Sequence, residues 1–235
     1  MLDLIAASPA VGNRSFEEAV SLFRRNFPVH SGIAVATAPG QAPAALVYGD
    51  CSSDSLRSQA ETCRGLVAIP ALPPAGPSSC GAADAYRLDG ATVPLFTPVE
   101  TPDIPGFRPF AQTEHGRTLA LEGRLGAAEA VIFTADLVSE SHLLLSGAFE
   151  AGTGTDGHGR HNPAHPEACR TPAASFHFNL VASAVRRVCD RAGLPLLSIP
   201  RWPAAAPMAL FLSHDVDAVR KWTGKRVLYE LARSA

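Results

Sequence analysis

Four prolines and a tryptophan fall between Pro195 and Pro207. No helix or strand interior runs through such a stretch, because proline has no N–H to give to either ladder. The chain therefore divides, with 1–195 as one domain, 196–207 as a connector and 208–235 as the opening of something else. That last part begins with Met208-Ala209-Leu210-Phe211-Leu212, a continuous apolar run of the kind buried on both faces of a parallel sheet. It ends in Ser213-His214-Asp215-Val216-Asp217, and a helix-compatible segment follows from Lys225 to Arg233, with Val227, Leu228 and Leu231 placed to pack back. Strand, acidic turn and helix make the first βα step of an α/β domain.

Composition narrows the class of the longer part. Apolar residues are 46% of the 235 and charged residues 18%, which excludes a disordered, collagen-like or coiled-coil chain. The length suffices for a hydrophobic core without disulfide or metal staples. A net charge of −2 provides no basic footprint for nucleic acid. Of the 20 basic residues only Lys221 and Lys225 are lysine, and the arginine excess reads as a coding habit. The start, Met1 to Ala7, has no basic segment before its apolar run, and nowhere do about 18 apolar residues follow one another. No membrane span and a cytoplasmic address are the expectation. Five cysteines without a C-x-x-C pair indicate neither a disulfide framework nor a zinc knuckle, and most of them read as small buried hydrophobes.

Along 1–195 the periodicities alternate. Ser15-Phe16-Glu17-Glu18 reads as a capping box, followed by Phe16, Val20, Phe23 and Phe27 at helical spacing up to Pro28. Short apolar runs at 32–37, 44–48 and 66–69 read as strands. The proline-bearing residues 92 to 110 support short edge strands and turns, and Gly126 to Glu150 reads as a long helix-compatible block. Residues 152 to 172 form a Gly/His/Pro loop, and Ser175 to Ala192 an amphipathic helix stopped by Gly193.

In open α/β sheets and βα barrels the active groups sit at the carboxyl ends of strands, where His214, Asp215 and Asp217 fall. Two carboxylates two residues apart repel one another, and such pairs hold a divalent cation or keep one acid protonated. One could then act as base on a metal-bound water. The plainer alternative is that Asp215 or Asp217 caps the following helix.

Leu212-Ser213-His214-Asp215-Val216-Asp217 resembles the first motif of a branch of the polysaccharide deacetylase family, in which T-H-D-V-D stands for the more familiar T-F-D-D-G. Upstream, Leu143-Leu144-Leu145-Ser146, then Asp156-Gly157-His158-Gly159-Arg160, then the Ser175–Ala192 helix follow the order of that branch. The resemblance implies an accessory α/β domain followed by the first βα unit of an incomplete (β/α) barrel. It also implies a metal-dependent amide hydrolase that removes acetyl groups from N-acetylated sugars, so that carbohydrate is the expected partner. It gives Asp215 the role of base and Asp217 that of ligand to a divalent metal, zinc or else magnesium, manganese or cobalt. Val216 departs from the family, which has Asp there. The family's H-x-x-x-H is also missing from the 18 residues after Asp217, so a truncated, inactive N-terminal part is expected. His161-Asn162-Pro163-Ala164-His165, with His158 before it and Cys169 after, has metal-ligand spacing but lies in a Gly/Pro loop ahead of the acidic motif, and incidental loop histidines are the simpler reading. His30, His115, His142 and His177 stand singly as core or surface residues. The second functional reading is a non-catalytic α/β binding or interaction module with a vestigial D-x-D loop.

Overall fold

The computed structural model describes residues 2–7, 14–34, 43–72, 84–99, 104–146, 154–155 and 171–200. The chain divides into two compact units, Met1–Arg201 and Trp202–Ala235. The second, with His214, Asp215 and Asp217, lies outside the described residues.

The first unit is a mixed α/β structure. Its elements in chain order are β1 (Asp3–Ala7), α1 (Arg14–Ser31), β2 (Ala44–Gly49), α2 (Ser53–Thr62), β3 (Gly65–Pro70), β4 (Asp84–Leu88) and β5 (Ala91–Leu95). There follow β6 (Arg108–Gln112), β7 (Thr118–Leu125), β8 (Ala128–Phe133), α3 (Leu137–Ser146) and α4 (Ala173–Ala192). Six strands form one sheet in the order β1-β2-β3-β8-β7-β6, and β4 and β5 pair as a separate hairpin. β1, β2, β3 and β8 run parallel, while β7 is antiparallel to β8 and β6 to β7.

Side chains alternate across the sheet, as the strand period of two requires. Leu46, Tyr48, Val67, Ile69, Val131 and Phe133 point to one face, where they meet α1, α3 and α4. There Phe23 stacks on Phe27 at 5.1 Å and meets Phe178 at 5.2 Å, and Phe16 stacks on Tyr48 at 4.9 Å. Val47, Leu66, Ala68 and Ile132 point the other way, toward Leu56 and Ala60 of α2. Both faces are covered, which is why β2 and β3 read as unbroken apolar runs.

α4, β2 and β3 lie where their periodicity places them, and Gly193 ends α4 in the left-handed region at φ 62°. Other expectations need correction. In the helix-compatible block at 126–150 the described residues, up to 146, form a strand and a shorter helix. Leu125 and Ala128 pair across a two-residue turn at Gly126 (φ 57°), and Val131-Ile132 sit in a buried strand whose packing overrides the helix propensity of the neighbouring alanines. Pro28 does not end α1. The helix runs on to Ser31, since proline in the last turn forgoes one bond to the preceding turn while its own carbonyl still accepts from the Gly32 N–H at 2.9 Å. Ser15 stands inside the first turn of α1 rather than before it. Of the run at 32–37, residues 32–34 are described, and there Ile33 bridges Ser198. That bridge is reinforced by Ala34 N–H to Leu197 and Ile199 N–H to Gly32, so the start of the proline-rich stretch is fastened to the first unit.

Candidate functional site

The carboxyl ends of β2, β3 and β8 converge on one buried acid. The apolar run of β8 ends at Phe133, and Thr134-Ala135-Asp136 leads into α3. Asp136 is fully buried. Its Oδ1 accepts the Ser139 N–H at 2.8 Å, which satisfies one of the free donors of the first helical turn. Its Oδ2 accepts the Leu72 N–H at 3.0 Å and the Tyr48 hydroxyl at 3.2 Å, and Tyr48 also lies 3.0 Å from the Ser139 hydroxyl. One carboxyl group thus ties the ends of three parallel strands to the start of α3. All its partners are neutral. Burial pushes the carboxyl up to about 6 against the pull of those hydrogen bonds. Tyr48 is raised by its own burial and by the charge of Asp136. Cys51, two residues beyond β2, is pushed up to about 12 by burial and by Asp50 and Asp136. Its thiol is therefore protonated at neutral pH, unlike an activated nucleophile.

A second buried chain runs Tyr86–His177–Glu140. The Tyr86 hydroxyl lies 2.9 Å from His177 Nδ1, and His177 Nε2 lies 3.2 Å from Glu140 Oε2. Oε1 of Glu140 accepts the N–H groups of Phe96 and Thr97 at 2.9 and 2.7 Å and the Thr97 hydroxyl at 2.6 Å. Burial, and then the charge of Glu140, raises Tyr86. The order of groups imitates a nucleophile, base and orienting acid, but the three side chains are at most 1% exposed, and no substrate reaches them. Their geometry fastens the β4–β5 hairpin to α3 and α4.

The third acid is Glu122 on β7, 5% exposed. Arg108 of β6 approaches it at 2.7 Å, and Arg187 and Arg191 of α4 at 3.0 and 3.1 Å. Arg191 also reaches Glu129 at 3.0 Å, and Arg124 joins Glu129 at 3.1 Å. The Arg187 hydrogen bond, followed by that of Arg108, outweighs burial and holds the Glu122 carboxyl below the ordinary range. At Asp84, burial is likewise outweighed, by hydrogen bonds from His115 (2.7 Å), Thr113 and the Ala85 N–H, so that its carboxyl too lies low.

Two cavities flank this framework. One of about 720 Å³ is lined by Pro43, Arg57, Glu61, Cys63, Arg64 and Leu125 among others. It lies at the amino ends of β2, β3 and β8, opposite the end at which α/β sheets place their ligands. The other, about 480 Å³ and broadly open, lies between α4 and β6 and is lined by Phe110, Glu122, Ser183, Arg186 and Arg187 among others.

Of the residues singled out from sequence, Asp215 and Asp217 lie outside the described residues, as do His158, His161, His165 and Cys169. Among the described residues no group of three or more His, Cys, Asp or Glu is placed to hold a metal ion. His177 is a core residue, His115 an exposed partner of Asp84, and His30 stacks on Phe178 at 4.9 Å. Asp136, Glu140 and Glu122 are not among the residues that sequence reasoning selects. Asp136 nevertheless carries a readable signal, an apolar run, an acid and then a helix-compatible segment, the same sequence pattern that marks Asp215. No helix among the described residues is long and apolar enough to cross a membrane.

No protein-family model matches the chain, and no curated protein does. Among solved structures it is similar to the exo-beta-1,4-mannosidase Op5Man5 from Opitutaceae bacterium strain TAV5. Identity is 12% and the TM-score 0.46, over 78% of this chain and 35% of the mannosidase. The chain therefore spans about a third of that enzyme's length. Likeness at that level carries no argument about activity.

Proposed function

We propose that residues 1–201 form an α/β accessory module of a carbohydrate-deacetylase-like protein whose chemistry is carried by His214-Asp215-Val216-Asp217. One observation supports this division of labour. Three of the buried acids of the first unit, Asp136, Glu140 and Glu122, are each taken up in fastening one element to another. The acids of the second unit follow an apolar run in the sequence, the pattern expected before a βα active-site loop. On this reading the reaction is hydrolysis of a sugar N-acetyl group. Asp215 takes a proton from the attacking water and Asp217 binds a divalent cation, which supplies acidification of that water when bound.

Titration of the full chain with zinc, followed by calorimetry, tests the assignment. Asp217→Ala should lose most of the heat of binding and Asp215→Ala part of it, whereas Asp136→Asn should bind as the parent does. If the Asp215→Ala and Asp217→Ala chains both bind zinc like the parent, the D-x-D loop only caps its helix, and the chain is a non-catalytic interaction module.

A further inference from the structure

We propose that the depression between α4 and the edge strand β6 is a binding site for a small ligand that carries an oxyanion, either a carboxylate or a phosphoryl group. Ser183, Arg186, Arg187, Asp190 and Arg191 recur at helical spacing along one side of α4, and β6 brings Arg108, Pro109 and Phe110 to the other side. The space between them is about 480 Å³, with Glu122 among its lining residues. Arg108, Arg186, Arg187 and Arg191 oppose Glu122, Glu129 and Asp190, so four positive charges face three negative ones.

A clamp holding α4 to the sheet would not need that surplus. Arg108 alone gives Glu122 two donors, Nε at 2.8 Å and Nη2 at 2.7 Å, which already satisfies one carboxylate oxygen. Arg187 and Arg191 then crowd further positive charge against the same group, and neighbouring guanidinium ions repel one another. A bound oxyanion relieves that repulsion. Donors remain for it, since guanidinium has five N–H bonds. Arg186 directs one, from Nη2, to the Ser31 carbonyl at 2.6 Å, and Arg187 directs two, from Nε and Nη2, to Glu122. Planar guanidinium forks suit carboxylate and phosphoryl oxygens. Pro109 and the half-buried Phe110 provide an apolar shelf for the rest of the ligand. The site is independent of the deacetylase reading.

The test is calorimetric titration of the full chain, in low-salt buffer free of phosphate, with inorganic phosphate, glucuronate and glucose. At least one of the two anions should bind saturably at one site, and glucose should not. Phosphate binding alone assigns a phosphoryl ligand, and glucuronate binding alone a sugar acid. Arg186→Gln and Arg187→Gln should each weaken anion binding about tenfold or more, as expected when one charge-assisted donor pair is removed. Arg57→Gln, at the opposite cavity, should bind like the parent. Arg186 does not touch Glu122, so Arg186→Gln still carries the test if Arg187→Gln fails to fold. The proposal falls if neither anion binds saturably, if folded Arg186→Gln binds as tightly as the parent, or if glucose binds as well as glucuronate.

Discussion

Beyond the end of β8, Asp136 is surrounded by amide N–H groups and a phenol, while on β7 Glu122 is surrounded by guanidinium ions. Both are buried and both join a helix to the sheet, yet burial prevails at one and charge pairing at the other. Neutral donors cannot offset the loss of water around an ionised carboxylate at Asp136, so it keeps its proton to about 6. At Glu122 the arginines reverse the balance. The same structural task has been solved by two electrostatic routes, and pH and salt should separate them.

The largest expected effect is at the neutral site. Asp136→Ala orphans the Leu72 and Ser139 N–H groups and the Tyr48 hydroxyl, and at pH 4 it should cost about 4 kcal/mol in urea denaturation, at the usual penalty for buried unpaired donors. The loss should shrink as pH rises, because the native carboxyl ionises less readily than the unfolded one. As pH rises from 3.8, the ordinary value, toward 6, the unfolded chain releases this proton first. Stability from the group is therefore full below the ordinary value and lost by about pH 6. The difference between the parent and Asp136→Asn should fall by about 3 kcal/mol across that window, and a flat difference would refute the assignment.

Glu122 has the opposite sign. Its contribution is present above the ordinary carboxylate range and disappears as pH falls through its lowered value. Glu122→Gln should cost about 2 kcal/mol at pH 7 by leaving guanidinium groups without their counter-charge. Added salt should shrink that cost while leaving the Asp136→Ala cost unchanged. The smallest effect belongs to Arg124, whose side chain is 65% exposed. Arg124→Gln should change stability by less than about 0.5 kcal/mol, and a larger loss in thermal denaturation would mean that the two arginine–glutamate clusters act as one network.

These sites are unequally legible in the sequence. Asp136 is within reach of sequence reasoning, because Val131-Ile132-Phe133 and the acid after them repeat the sequence pattern of an apolar run and then an acid seen from Met208 to Asp217. It is hidden by alanines at 127, 128, 130 and 135, which make strand and helix read as a single block. The β4–β5 hairpin is announced by Asp89-Gly90, whose two left-handed residues, at φ 51° and 81°, form the turn. Glu122 and its arginines cannot be read locally, since α4 meets β7 across 65 residues and no short pattern encodes that meeting. The arginine excess, a coding habit as far as composition goes, gathers partly on this one side of the molecule.

Tyr86, His177 and Glu140 also govern how the first unit comes apart. The hairpin of β4 and β5 is held by a buried polar chain as well as by Tyr86, Val93 and Leu95 in the core. Such a chain has no stable half-broken state. If the hairpin lifts away, the N–H groups of Phe96 and Thr97 leave Glu140, and its carboxyl loses those donors between α3 and α4. The hairpin and the beginnings of those two helices should therefore open as one cooperative unit. Their amides should share a single hydrogen-exchange rate, distinct from that of β2 and β3.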